Sequence, residues 1–408
     1  MINLEIPKKL KPLITQAHQV GVGMFRPISR KYDKAEHAYP KELDMLGAIL
    51  RGMGEGGGGA GVGSGQMTDK AKKKSDEPRE KGNRNGGNMS TLLGTIELCW
   101  GDVGLLLTLP GQGLGNAAID AVATPEQIAR FGGKWASMAI TEPGAGSDSA
   151  AIRCRAVKDG DSYVLNGEKI YVTAGERCEL VVVWATLDPA AGRAAIKSFV
   201  VEKGTPGMRV ARLEHKLGIK ASDTATILFE DCRVPAANIL GSAEIDIKKS
   251  FAGAMQTFDN TRPLVAGMAL GVARASLELT REILEKEGVR VSYGGTLHNK
   301  SAVEAELLKM EAELEAAYLL TLRAAWMADN KKPNSMEASM AKAKAGRVGN
   351  YITLRCVELC GSVGYGEEEL LEKWARDSKI LDIFEGTQQI QMLVIARRLL
   401  DLSSSQLR

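Results

Sequence analysis

No run in this 408-residue sequence approaches the roughly 20 consecutive apolar residues that a bilayer-spanning helix requires. The longest, such as Leu180 to Ala185, have the length of a strand, so no membrane span is expected. Net charge is nearly absent as well. The 53 Lys and Arg residues face 50 Asp and Glu, a formal +3, which gives no basis for a nucleic-acid surface or a membrane-binding patch. The opening MINLEIPKKLKPLITQAHQ has no apolar core followed by a cleavage site; it reads as a first helix, not an export signal, and a cytoplasmic enzyme is expected. The six cysteines (Cys99, Cys154, Cys178, Cys232, Cys356, Cys360) are scattered, and a chain of this size does not need disulfide staples. Cys356 and Cys360 stand one helical turn apart without a nearby His or second Cys pair. The histidines, His18, His37, His215 and His298, are too far apart in sequence to suggest a cluster. No metal centre is expected.

What is present divides the chain by periodicity. Its length predicts two or three packed subdomains. Helical spacing up to about residue 50 gives way to GAILRGMGEGGGGAGVGSGQ and then to the charged DKAKKKSDEPREKGNRNGGN. Glycine loses much backbone entropy on ordering and the charged stretch has almost nothing to bury, so residues 52–89 are expected to be a flexible insertion. Ser90 to Arg130 returns to a helical pattern, with Thr124 as an N-cap before Pro125. From Ala136 to about Leu240 the pattern is short β-branched runs. VVVWAT, KSFVVEK and TATILFEDCRV are predicted strands, and Asn166-Gly167 is predicted to turn a hairpin. After Lys248 helical spacing resumes, as in Leu307, Met310, Leu314 and Ala317. The expected class is α+β, mainly α: an N-terminal helical domain over 1–135, a middle antiparallel β domain over 136–247 and a C-terminal four-helix bundle over 248–408.

Two segments carry chemistry in their residue types. The loop TEPGAGSD, Thr141 to Asp148, offers successive backbone N–H groups and hydroxyls, which suits a phosphate or a flavin edge but equally an ordinary polar turn. Glu385, between Phe384 and Gly386, is either a carboxylate kept dry for proton abstraction or a favourable charge before a helix that Thr387 N-caps. By contrast, Gly111-x-Gly113-x-Gly115 lacks the βαβ setting of a dinucleotide loop.

Taken in order, TEPGAGSD, LNGEKIYVTAG, FEDCRVP, TFDNTRP, CGSVGYG and IFEGTQQIQ closely resemble the acyl-CoA dehydrogenase family over about Ser90 to the C-terminus. The resemblance implies FAD-dependent α,β-desaturation of an acyl-CoA thioester to a 2-enoyl-CoA. Glu385 would remove the α-proton while flavin N5 takes the β-hydride, and a backbone N–H at the base would help stabilise the thioester oxygen. Some members place the base at the position of Thr261, which cannot do that work. The resemblance also implies that FAD packs on the strand Met138 to Thr141, Ile140 included, with Thr141 at the ring edge and Gly146 and Ser147 at a phosphate. Tyr171 replaces the usual Trp against the ring, and Thr173 approaches N5. Thr387 and Gln389 lie toward the adenine, Gly361 belongs to the pyrophosphate segment, and Arg290 reaches the pyrophosphate of a neighbouring subunit. Ser147, Asp259, Arg262 and Gly386 are the implied substrate contacts, with a surface ion pair as the other reading of Asp259 and Arg262.

The family also implies an electron-transfer flavoprotein as acceptor and a homotetramer, with a heterotetramer as the alternative. Glu358 and Ser301 depart from the family, each standing where Gln is common, and a carboxylate at 358 would repel a pyrophosphate unless paired. Two other functions remain open: a partner subunit without its own catalysis, and a flavin oxidase or monooxygenase of the same fold. The latter commonly lack the glutamate.

Overall fold

A computed structural model describes residues 5–47, 85–110, 113–245, 252–403 and 406, with the backbone alone over 252–260. Most of the 52–89 stretch and Gly111 lie outside the described residues, but helix α3 already begins at Gly87. The N-terminal helices are α1 (Lys11–Val20), a π-helical turn Gly21–Phe25, and α2 (Arg26–Lys34). They pack on α3 (Gly87–Gly101), followed by the short α4 (Val103–Leu106). The backbones of Gly21 and Gly101 meet so closely that a Cβ on Gly101 would lie 2.6 Å from the Gly21 Cα. Next come α5 (Leu114–Val122) and α6 (Pro125–Phe131). The start of α6 is as the sequence predicts: Thr124 and Gln127 form a reciprocal capping box around Pro125.

Among the described residues eight strands form one mixed, mostly antiparallel sheet: β1 (Ala136–Ala139), β2 (Arg155–Asp159), β3 (Ser162–Thr173), β4 (Leu180–Thr186), β5 (Ile196–Glu202), β6 (Met208–Leu213), β7 (Thr224–Pro235) and β8 (Ile239–Leu240). The order is β6-β7-β3-β2-β4-β5-β8, and β1 lies parallel to β4. The three runs predicted as strands correspond to β4, β5 and β7. The hairpin expected at Asn166-Gly167 is not there. The chain turns instead at Gly160 and Asp161, where Asp159 pairs with Ser162 and Gly160 takes φ 59°. Gly167 lies inside β3 at a register shift against β7, so close to Cys154 that a Cβ would stand 2.7 Å from its Cα. Asn166 exchanges hydrogen bonds with Asp231. The pair marks a β-bulge, which asks for the same residue types as a tight turn.

The C-terminal helices are α7 (Ala252–Lys286), α8 (Ala302–Asp329), α9 (Ser335–Leu359), the short α10 (Gly361–Tyr365), α11 (Leu371–Ser378) and α12 (Gln388–Leu399). Leu307, Met310 and Ala317 are buried as their spacing predicts, and Leu314 packs at the edge. The helices before and after the sheet in the chain bury one continuous core, in which Phe25, Leu92 and Ile96 join Leu270, Met310 and Ile352, while the sheet keeps its own clusters on its two faces. The sheet is tied to the helices by charge. Lys373, fully enclosed, bridges Asp102 at 2.7 Å and Asp377 at 2.5 Å, and the other Asp377 oxygen accepts from the Ile219 N–H of the β6–β7 loop. Among the described residues no helix is long and apolar enough to cross a membrane.

Candidate active site

Glu385 sits in the loop that leads into α12, with backbone φ 53°, and Gly386 follows at φ 94°. Two consecutive left-handed residues cost backbone energy unless something holds them. Here the Gln391 side chain donates to the carbonyls of Glu385 (3.1 Å) and Gly386 (3.0 Å), and the Lys342 ammonium donates to the Gly386 carbonyl at 2.6 Å. A Cβ on Gly386 would stand 2.5 Å from Gln391 Nε2 and push that amide aside, and φ 94° itself favours glycine. Thr387 then N-caps α12 by accepting from the Ile390 N–H. The local reading of Thr387 as a cap is correct, and it coexists with an inward-facing Glu385.

The Glu385 residue is half-buried, yet its Oε2 is enclosed and has no hydrogen-bond partner among the described residues, while the carboxylate is hydrogen-bonded to the Thr261 side chain. Burial pushes its pKa up from the usual carboxylate value. The Thr261 hydrogen bond and the charges of Lys342 and Arg262 pull it part of the way back. The fold thus brings Thr261, the family's other position for the base, against Glu385. Arg262 is 3% exposed on α7 and faces Ser339 on α9, so it is an interior cation beside the carboxylate and not half of a surface ion pair. Asp259 lies on the described backbone of α7, and its side chain is outside the described set.

The sequence reading missed Lys342. It is fully buried on α9, and burial lowers its pKa to about 8 against the raising influence of Asp382 and Glu385. A signal existed: Lys342 falls among Ala338, Ala341, Ala345 and Gly346, on what is otherwise the small-residue face of a packed helix.

The residues expected to meet a flavin converge from β1 and β3. The Thr141 carbonyl accepts from Ile170 N–H at 2.9 Å, and Ser137 Oγ donates to the Thr173 carbonyl at 2.7 Å, so the Met138–Thr141 segment lies beside Tyr171 and Thr173. Met138 and Ile140 share one face of that segment. Tyr171 is lifted out of the strand by a bulge between Lys169 and Val172, takes φ 56° and is 62% exposed. The TEPGAGSD loop closes on itself through paired bonds between Glu142 and Ala145, leaving Gly146 and Ser147 exposed. Beneath it lies a second pair that the sequence reading missed. Lys169 Nζ donates to Glu142 Oε1 at 2.7 Å and to the Ile140 carbonyl at 3.0 Å, and the Glu142 carboxylate also accepts the N–H groups of Arg153 and Cys154. Lys169 follows Tyr163 and Leu165 at inward positions of β3, and a lysine at such a position was the available clue.

The remaining expected residues are exposed. Arg290 projects from the loop after α7, 82% exposed, with Glu285 as its ion-pair partner at 3.4 Å. Gly361 has φ 53° and open space where a side chain would be, and Gln389 is exposed. The two departures from the family have local roles. Glu358 is ion-paired with Arg355, and Ser301 forms a capping box with Glu304 at the start of α8. The histidines do not all stay apart. The rings of His37 and His215 lie 5.3 Å from each other, with Glu36 bonded to His215 at 2.9 Å. The ligand atoms of these three residues fall within 4.8 Å of one another, but Lys216 presses a positive charge on His37, which opposes a cation there.

The sequence pattern of the acyl-CoA dehydrogenase middle domain matches residues 137–232, and that of the family's C-terminal domain matches residues 251–400. The mitochondrial short-chain specific acyl-CoA dehydrogenase of Rattus norvegicus is 40% identical over 269 residues, 66% of this chain and 64% of that protein, so the match spans somewhat under two thirds of that relative. Acryloyl-CoA reductase (NADH) of Anaerotignum propionicum is 33% identical over 334 residues, 79% of this chain and 82% of that one. Butyryl-CoA dehydrogenase of Megasphaera elsdenii, a solved structure, superposes with a TM-score of 0.81 at 30% identity over 98% of this chain and 100% of that chain. Helices, then a mostly antiparallel sheet, then a helical bundle, carrying the six motifs in order, with the family's patterns over 137–232 and 251–400 and a relative 33% identical over 79% of the chain, show that this chain belongs to the acyl-CoA dehydrogenase family.

Proposed function

We propose that the protein desaturates an acyl-CoA thioester between its α and β carbons, with Glu385 as the base. The observation that carries this reading is the state of Glu385: an enclosed carboxylate of raised pKa, one oxygen unpartnered among the described residues, aimed by a turn that three side-chain hydrogen bonds hold. A surface charge serving only the α12 dipole would need none of this. A raised pKa brings a carboxylate toward that of the activated carbon acid it must deprotonate. Glu385 then accepts the α-proton, Thr261 and Arg262 hold the carboxylate in place, and a backbone N–H at the base supports the developing enolate oxygen.

The chain's own residues fit a flavin. Tyr171 stands exposed beside Thr141 and Thr173, and a Cβ on Gly144 or Gly146 would meet nothing within 4 Å, so the loop is open on that side. Met138, Ile140, Thr141, Gly146, Ser147, Tyr171 and Thr173 are the proposed contacts for FAD within one subunit. Gly361, Thr387 and Gln389, with Arg290 from a neighbouring copy, are the proposed outer contacts in a homotetramer. The exposed apolar residues Met392, Leu393, Leu399 and Leu400 on and after α12 accord with such assembly. FAD bound there supplies the two-electron acceptor for the β-hydride, with an electron-transfer flavoprotein as the proposed onward acceptor. On the thioester side, Arg262, Gly386, Ser147 and Asp259 are the proposed contacts.

The similarity to a protein named acryloyl-CoA reductase supports a second direction, in which a protonated Glu385 returns the proton to the α carbon. Anaerobic titration of the purified protein with a panel of acyl-CoA and 2-enoyl-CoA thioesters, followed by visible absorbance, tests both. Bleaching by saturated thioesters supports desaturation, and re-oxidation of the reduced protein by enoyl thioesters alone supports the reductase. A protein that takes up no FAD supports a partner subunit. Glu385→Gln should lower kcat by about 10²–10⁴-fold with the flavin retained; turnover at the parent rate would remove Glu385 from the mechanism.

A further inference from the structure

We propose that Lys342 is the positioning residue of this site: its ammonium group, bonded to the Gly386 carbonyl from the neighbouring helix, holds the left-handed turn that aims Glu385 and places a fixed positive charge behind the carboxylate. The inference rests on the proposed role of Glu385. A buried lysine without a function is an expensive residue, because its charge is disfavoured in a low-dielectric interior and a methionine would fill the same volume. Lys342 is 0% exposed on a face of α9 otherwise built from Ala338, Ala341 and Ala345, and its Nζ makes a 2.6 Å bond to the one carbonyl that follows the base.

The geometry explains why this carbonyl matters. Glu385 and Gly386 both sit at positive φ, at 53° and 94°. Releasing the Gly386 carbonyl would let the peptide rotate toward ordinary backbone and carry the carboxylate away from Thr261. Gln391 from α12 holds the same carbonyl from within the following helix, whereas Lys342 is the tie to the bundle. The Gln388 side chain, bonded to the Ala343 carbonyl at 3.1 Å, adds a parallel tie one residue along the same helix.

Electrostatics gives the lysine a second effect. The charged groups that bear on it are Asp382 in the preceding turn, Glu385 in the loop and Arg262 on α7. Those that bear on Glu385 are Lys342 and Arg262, with Thr261 as its hydrogen-bond partner. Burial alone would drive the Glu385 carboxyl far up. The two cations limit the rise, and Lys342 itself keeps its charge below about 8. Lys342 therefore holds the Glu385 pKa below where burial alone would set it.

Lys342→Met is the test, alongside the parent and Lys342→Arg. Loss of the charge raises the Glu385 pKa, so the acid limb of kcat/KM should move up by about one pH unit. Loss of the tie should lower kcat by about 10–100-fold with KM changed less than about threefold. Amide hydrogen exchange over residues 383–390 should accelerate at least about tenfold, a readout that needs neither flavin nor turnover. Lys342→Arg, which keeps charge and donors, should hold the acid limb in place. A Lys342→Met protein that is less stable but has an unmoved acid limb and unchanged exchange at 383–390 would overturn the inference and leave Glu385 as the base. Parent-like turnover by Glu385→Gln would instead remove the reading on which the inference rests. Should Lys342→Met fail to fold, Lys342→Gln, uncharged but still a donor, is read by the same acid-limb criterion.

Discussion

Replacing Lys169 by Met tests whether the ion pair behind the TEPGAGSD loop is what gives that loop its shape. Lys169 is fully buried and Glu142 is 7% exposed, with their charged atoms 2.7 Å apart. Removing one partner of such a pair leaves an uncompensated interior charge and typically costs about 3–5 kcal/mol. Here the stranded carboxylate would keep two backbone donors, the Arg153 N–H at 2.6 Å and the Cys154 N–H at 2.9 Å. Hydrogen bonds to a charged group contribute about 1.5–3 kcal/mol each, so the loss should fall at the low end, about 3 kcal/mol. Glu142→Gln alone should be costly too, since it leaves the lysine without its counter-charge. The double variant removes both charges together and should lose about 2 kcal/mol less than the sum of the singles. Denaturant unfolding followed through Trp184 on β4 and Trp135, which packs into the sheet's core just before β1, reports on this part of the molecule. FAD affinity measured in parallel should fall in the singles and recover in part in the double. A single variant losing under about 1 kcal/mol, or strict additivity in the cycle, would refute the argument.

Three further outcomes are expected. Gly386→Ala forces a Cβ into a left-handed residue and toward Gln391 Nε2 at 2.5 Å, so it should lose about 1–2 kcal/mol of stability and most of its turnover; parent-like kcat would show that the turn is not needed. Because the Glu385 pKa is raised in the folded state, its contribution favours folding below the unfolded carboxyl's pKa and is lost as pH rises through the folded value. Glu385→Gln should therefore be more stable than the parent at pH 8 and gain little at pH 4 in thermal melts; the reverse order would contradict the sign of the shift. Asp329, at the end of α8, accepts the N–H groups of Gly86, Asn88 and Met89 and so caps α3 from another helix. Asp329→Ala should cost about 1–2 kcal/mol, and a deletion of 52–89, which removes all three donors, should destabilise more than one of 52–84 in the same unfolding assay.

Local chemistry was legible wherever its cause lies within a few residues. Thr124 before Pro125 started a helix, Thr387 capped another, and the spacing of Leu307, Met310 and Ala317 marked a buried face, because a cap and a periodicity are complete within one or two turns. Asn166-Gly167 failed as a hairpin because a bulge and a tight turn ask for the same residues, and only pairing with β7 tells them apart.

The sequence by itself determined the alternation of helix, sheet and helix, the order of the six motifs that shows the family, and Glu385 as the candidate base, since each is carried by residue type and short-range spacing. Tertiary structure alone decided what surrounds that base and that loop. Thr261 on α7 and Lys342 on α9 meet the 385–386 turn, Lys169 on β3 meets Glu142, Asp329 caps α3, and His37 joins His215. Periodicity marks Lys342 and Lys169 as charges on inward faces, but it names the partner in none of these pairs. Each forms because packing removes water from a charged or polar group and leaves it to find its partner on another element of the fold.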